Sequence, residues 1–206
     1  DIITSKHGTN ALPITIKGSN KAILQGGGGN RVFEINHDYY ILEGFTFDGF
    51  FGTTDSLTSY RDKLLYVQGK GVKKGVEGLK IINMTFKNAG GECVRIRYFA
   101  KNNEIAYSRF LNCGVHDFKF NSGAKNGEAI YLGTSSNQWA DGKNPTADPD
   151  ESTNNWIHHN FFNTQGNECV DIKEGAYNNI VEYNECTGQL DTESAGLDSR
   201  SDNNIF

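Results

Sequence analysis

Four tetrads recur along this chain: Asn102-Asn103-Glu104-Ile105, Asn154-Asn155-Trp156-Ile157, Asn178-Asn179-Ile180-Val181 and Asn203-Asn204-Ile205-Phe206. Each sets an Asn-Asn pair two residues before an apolar position, and their starts lie 52, 24 and 25 residues apart. Self-similarity at this period marks a solenoid, in which each repeat buries its apolar face only by stacking on its neighbours. Asn suits the corners of such coils, because it tolerates the left-handed backbone and its amide can replace backbone hydrogen bonds.

A second set of segments interleaves with the tetrads: Glu92-Cys93-Val94-Arg95-Ile96-Arg97, Glu128-Ala129-Ile130-Tyr131-Leu132-Gly133, Glu168-Cys169-Val170-Asp171-Ile172-Lys173 and Ala195-Gly196-Leu197-Asp198-Ser199-Arg200. Strand side chains alternate between faces, so Val94/Ile96, Ile130/Leu132, Val170/Ile172 and Leu197/Ser199 point into the bore. Arg95/Arg97, Tyr131/Gly133, Asp171/Lys173 and Asp198/Arg200 then form outward columns. Two short strand patterns per ~24 residues, with no helical period between them, predict an all-β fold, a right-handed parallel β-helix. The earlier segments Val32-Phe33-Glu34-Ile35, Leu64-Leu65-Tyr66-Val67 and Met84-Thr85-Phe86 continue the theme. With 24 Gly, 3 Pro and a single Met, the composition supports turns rather than long helices.

The 206 residues read as a single domain with loop insertions at 114–126 and 134–153. The second insertion has no strand pattern and is long for a connection, which suits a binding or lid element as well as a surface excursion. Phe206 occupies the apolar position of the fourth tetrad, so the chain is expected to be part of a longer solenoid. No stretch approaches the ~18 apolar residues of a membrane span. Residues 61–109 hold 11 basic and 4 acidic side chains, and 110–206 hold 5 and 15. That segregation can steer an ionic partner or favour lateral self-association, whereas the net charge of −5 argues against non-specific nucleic-acid binding.

The four cysteines form no C-x-x-C pair, which disfavours zinc. Cys93 and Cys169 both open in Glu-Cys-Val, and Cys113 and Cys186 follow the next strand. Local disulfides Cys93–Cys113 and Cys169–Cys186 are therefore predicted, in keeping with a secreted, extracellular protein. Stacking Cys93 on Cys169 is disfavoured because the coil containing Ala129 lies between them. Asn83-Met84-Thr85 is the only glycosylation sequon. Asn83 is expected to join the ladder column of Ser108, Asn160 and Asn184, where a glycan would not fit.

The outward face carries the ionisable residues. Parallel strands lie about 4.8 Å apart, so ionised Asp171 and Asp198 stacked in register repel unless a cation intervenes. Calcium resolves the conflict, with Glu168 or Glu128 as further oxygen ligands. So does an exposed ladder of ion pairs, in which Lys173 and Arg200 face Asp171, Asp198 and Glu174 and contribute little to stability. Arg95 and Arg97 can hold sugar carboxylates, and Tyr131 and Trp139 can stack on pyranose rings. His158 and His159 are adjacent on a strand and should point to opposite faces, which disfavours a two-histidine metal site.

Asn126-Gly127-Glu128-Ala129-Ile130-Tyr131-Leu132-Gly133 resembles the Asn-Gly-x-Glu-x-Ile-Arg-x-Gly motif of the chondroitinase B and alginate lyase group of β-helix polysaccharide lyases. Tyr131 stands where Arg is usual, and one residue before Glu128 is missing. Trp156-Ile157-His158-His159-Asn160 is similar to the Trp-Ile-Asp-His segment of pectate lyases, with His158 in place of the metal-binding Asp. Such lyases remove the proton α to a uronate carboxylate and expel the 4-oxygen, which needs a base and a cation to neutralise the carboxylate. The resemblance implies Lys173 as base, Arg200 as its acid or charge-stabilising partner, and an acidic polysaccharide as partner. The alternatives are a non-catalytic extracellular glycan-binding or structural β-helix and, third, a polygalacturonase-like hydrolase. For the last, Arg95-Ile96-Arg97 is similar to that family's Arg-Ile-Lys, while its Asp-Asp and Gly-His-Gly motifs are absent.

Overall fold

The computed structural model describes residues 2–206. Its strands form three parallel sheets of seven, six and six strands, and successive coils contribute one strand to each. The first sheet contains Ile2–Ile3, Arg31–Ile35, Lys63–Gln68, Val94–Arg97, Ile130–Leu132, Val170–Ile172 and Leu197–Ser199. The chain is a parallel β-helix. Sequence patterning predicts two strands per coil, and the structure has three. The bend between the second and third sheets is a single left-handed residue, with φ of +83° at Gly44 and +53° at Asn83, Tyr107, His159 and Tyr183. A one-residue bend leaves no gap in an apolar pattern, and bulky residues rarely adopt this conformation.

The Asn-Asn tetrads serve two purposes. Their first asparagines, Asn102, Asn154, Asn178 and Asn203, take φ between +55° and +57° and turn the corner into the second sheet. Their second asparagines stack. Asn103 donates from its backbone and its amide to Asn155 Oδ1 at 3.2 and 2.8 Å, Asn155 to Asn179 at 2.9 and 2.9 Å, and Asn179 to Asn204 at 2.9 and 3.0 Å. Corner N–H groups that no strand can reach are thereby paired inside the bore, where an orphan would cost about 1–3 kcal/mol.

The third sheet supplies the widest core residues. Phe47, Phe86, Phe110 and Phe162 stack on successive coils with ring centroids 5.2, 5.1 and 4.8 Å apart. Each is fully buried, worth about 1.5–3 kcal/mol per ring in apolar transfer alone. Beyond Phe162 the register places Cys186, which closes its coil to Cys169. Cys93–Cys113 does the same two coils earlier, and both predicted disulfides are present, with Cα atoms 5.7 and 6.0 Å apart.

Asn83 does not occupy the inner column assigned to it. Met84 does: its N–H donates to Ser108 Oγ at 3.1 Å, Ser108 N to Asn160 Oδ1 at 2.9 Å and Asn160 N to Asn184 Oδ1 at 2.9 Å. Asn83 is the exposed left-handed residue just before it, so the steric obstacle to a glycan disappears. Both insertions flank the coil of Ile130–Leu132. The first carries a short helix, Val115–Phe118, and the second folds against the outer face of the first sheet, where Asp150 accepts from the backbone N–H of Tyr98 and Phe99 at 2.6 and 2.8 Å. No helix among the described residues is long and apolar enough to cross a membrane.

Candidate functional site

Alternation along the first sheet sends every second side chain outward, and the register stacks them. The central outward column reads Glu34, Tyr66, Arg95, Tyr131, Asp171, Asp198. Val94, Ile130, Val170 and Leu197 form an inward column beside it, and Ile96, Leu132, Ile172 and Ser199 another. The segregation of charge along the sequence thus becomes two zones of one face, basic on the earlier strands and acidic on the later ones.

In the basic zone Arg31, Lys63, Tyr66, Arg95, Arg97 and Lys143 line a cleft of about 220 Å³. Arg95 donates to Glu92 Oε1 at 2.9 Å and to Gln138 of the long loop at 2.7 Å, and its guanidinium lies 4.1 Å from the Tyr131 ring centre. Arg97 donates to Asn144 of the same loop at 2.8 Å. Arg95 Nε and Arg97 Nη2 are buried with no hydrogen-bond partner among the described residues. Burial pushes the Glu92 carboxyl up, but Lys63 and Arg95 outweigh it and hold the group at about 2. Glu92 and Lys63, 2.7 Å apart, were not foreseen as site residues. A signal exists for Glu92, which opens the same Glu-Cys-Val segment as Glu168, but none for Lys63, which strict alternation places on the face opposite Tyr66.

The acidic zone centres on Lys173, which is buried rather than part of an exposed ladder. Only 4% of it is accessible, and Asp171 is fully enclosed. The Lys173 amine is in close contact with Asp171 Oδ2, lies 4.0 Å from Glu128 Oε1 and sits 4.3 Å from the Tyr131 ring centre. The expectation that removing Lys173 costs little is therefore corrected, because a buried charge cannot lose its partner cheaply. Arg200 is half-exposed, 3.7 Å from Asp171 and 3.2 Å from Asp198.

Carboxylate oxygens of Glu128, Glu168 and Asp171 all lie within 4.8 Å of one another. Asp198 stays outside this group, paired to Arg200. Burial and repulsion from Glu92 push Glu128 up to about 7, and burial raises both Glu168 and Asp171. Glu168 Oε2 and Asp171 Oδ1 are buried acceptors without a partner among the described residues. Hard carboxylate oxygens gathered around two orphan acceptors fit a calcium-like cation on the side that Lys173 leaves uncompensated. Burial also raises Tyr131, so its phenol stays protonated at neutral pH. Trp139, half-buried, donates its indole N–H to Thr134 O at 2.8 Å and stands next to the Gln138 that holds Arg95.

The chain is similar in fold to an alginate lyase. The crystal structure of alginate lyase from Paenibacillus sp. str. FPU-7 matches it with a TM-score of 0.74 at 24% sequence identity. The likeness covers 98% of this chain and 63% of that one, and at this identity it shows the fold. No protein-family model matches the chain, and no curated protein matches it.

Proposed function

We propose that the outer face of the first sheet binds an acidic, uronate-containing polysaccharide and cleaves it by β-elimination, in a secreted protein whose two disulfides suit an oxidising compartment. The observation that carries this reading is the buried contact of Lys173 with Asp171 and Glu128 beside Tyr131. Three acids, an amine and a phenol gathered on an outward face are expensive to bury and contribute nothing to the apolar core. The alginate lyase likeness supports the substrate class.

In this reading Lys173 first gives up its ammonium proton to solvent and, as the neutral amine, takes the α-proton of the uronate. A guanidinium does not give up its proton, so Arg200 neutralises charge. The proton for the departing 4-oxygen comes from Tyr131, whose phenol is protonated and adjacent to Lys173. Arg95 and Arg97 lend positive charge to the basic cleft they line, two strands or roughly 10 Å from the strand of Lys173, where a sugar carboxylate would bind. Trp139 borders the groove from the loop. Glu128, Glu168 and Asp171 would hold calcium, which acidifies the α-proton when it binds the uronate carboxylate. Asp171, shared between this group and Lys173, would hold the amine less tightly with a cation bound.

The test is incubation of the protein with alginate, pectate and chondroitin, with and without calcium, while following the absorbance of unsaturated products. Absorbance that appears with one polymer and vanishes in Lys173→Met and Tyr131→Phe supports cleavage. The close Lys173–Asp171 contact favours a second reading, a glycan-binding face without turnover, and binding of the same polymers with no absorbance change would establish that instead.

A further inference from the structure

The second sheet carries a histidine pair that the first-sheet site does not use. Strand alternation alone would send His158 and His159 to opposite faces. His159, however, is the left-handed bend residue, with φ of +53°. That conformation swings its ring beside its neighbour. The two Nδ1 atoms lie 2.9 Å apart, with the ring planes at 86°. Glu104 Oε1 lies 3.4 Å from His158 Nε2, and Trp156 stacks on the same imidazole with centroids 3.6 Å apart. His158 is 3% accessible, whereas His159 is exposed.

We propose that His158 and His159 chelate a divalent late transition-metal ion of the Cu(II) or Ni(II) type through their two Nδ1 atoms. Metal–imidazole bonds are about 2.0–2.1 Å long, so two such nitrogens at a right angle lie about 2.9 Å apart, against about 3.3 Å at a tetrahedral angle. The observed separation, which a hydrogen bond sets in the metal-free protein, already brings the two nitrogens to the spacing of neighbouring corners of a square or octahedron, and imidazole nitrogens hold Cu(II) and Ni(II) well. Glu104 supplies what metal-bound histidines usually have, a carboxylate on the other ring nitrogen that keeps the proton on Nε2 and leaves Nδ1 as the donor. Trp156 holds the ring in place. In the metal-free protein the space between the nitrogens holds one hydrogen-bonding proton, that of His159 Nδ1; when the ion takes its place, this proton moves through solvent to Nε2 of the exposed His159 ring, which stays neutral. The exposed side at His159 leaves the other coordination positions to water or to an oxygen ligand. Nitrogen donors on a different sheet separate this site from the carboxylate group at Asp171.

The decisive experiment is a Cu(II) titration of untagged protein at pH 7.5, read by calorimetry and electron paramagnetic resonance. His7 and His37, with ring centroids 4.7 Å apart, are the other close histidine pair, so the reference protein carries His7→Ala and His37→Ala. The reference is expected to take up one equivalent with an axial spectrum split by two nitrogens. His159→Ala, an exposed change that spares the core, should lose at least tenfold in affinity, and Glu104→Gln about tenfold with unchanged stoichiometry. A reference protein that takes up no equivalent, or a His159→Ala variant that binds within tenfold of it, overturns the proposal.

Discussion

Replacing Lys173 by Met keeps an unbranched side chain one atom shorter and removes the charge that faces Asp171. Asp171 is fully enclosed, so in the variant it must either stay ionised without its amine or fold as the neutral acid. The first course costs about 3–5 kcal/mol. An ordinary aspartate titrates near 3.8. At about 1.4 kcal/mol per pH unit, folding it protonated costs about 4.4 kcal/mol at pH 7 and about 1.6 kcal/mol at pH 5. The protein takes the cheaper course at each pH, and Arg200, 3.7 Å from Asp171, offsets part of the charged option. The expected destabilisation relative to the parent is therefore about 3 kcal/mol at pH 7 and about 1.5 kcal/mol at pH 5. The sign follows from linkage: a carboxyl whose folded pKa is raised makes the folded state lose stability as pH rises from its unfolded pKa toward the folded one. Urea unfolding of both proteins at the two pH values, followed by circular dichroism, measures the difference through the midpoints. A loss below 1 kcal/mol at pH 7, or the same loss at both pH values, would refute the idea that Lys173 compensates a buried carboxylate.

Glu128 is held near 7, above the ordinary glutamate value of 4.5, so its contribution to stability declines as pH rises between those values; Glu128→Gln should be more stable than the parent at pH 8 by about 3 kcal/mol and by less at pH 5, read from urea midpoints. Asn155→Ala breaks the middle of the buried ladder and strands the Asn103 donors, for an expected loss of about 2–4 kcal/mol in the same assay. Cys169→Ser with Cys186→Ser opens a bond spanning 17 residues and should cost about 2–4 kcal/mol, while a non-reducing peptide map of the parent should show no free thiol. Calcium affinity, measured by calorimetry, should fall at least tenfold in Glu168→Gln or Asp171→Asn but change little in Asp198→Asn, because Asp198 lies outside the carboxylate group.

Periodicity alone determined the solenoid, the inward columns of Val94, Ile130 and Val170, the outward column of Arg95, Tyr131 and Asp171, and both disulfides. These are consequences of spacing: a side-chain period of two and a coil of about 24 residues leave few ways to bury the same apolar positions. Three features required the tertiary structure. The third strand of each coil and the displacement of Asn83 rest on a single left-handed residue, which Tyr107, His159 and Tyr183 adopt without any sequence signal for it. The burial of Lys173 and Asp171 depends on the loop and the neighbouring coils packing over a face that alternation could only describe as outward. The meeting of His158 with His159, and of Glu128 with Glu168 and Asp171, depends on backbone direction and on distances of a few ångströms between coils. Sequence order assigns residues to faces, whereas burial and side-chain contact follow from how those faces are covered in three dimensions.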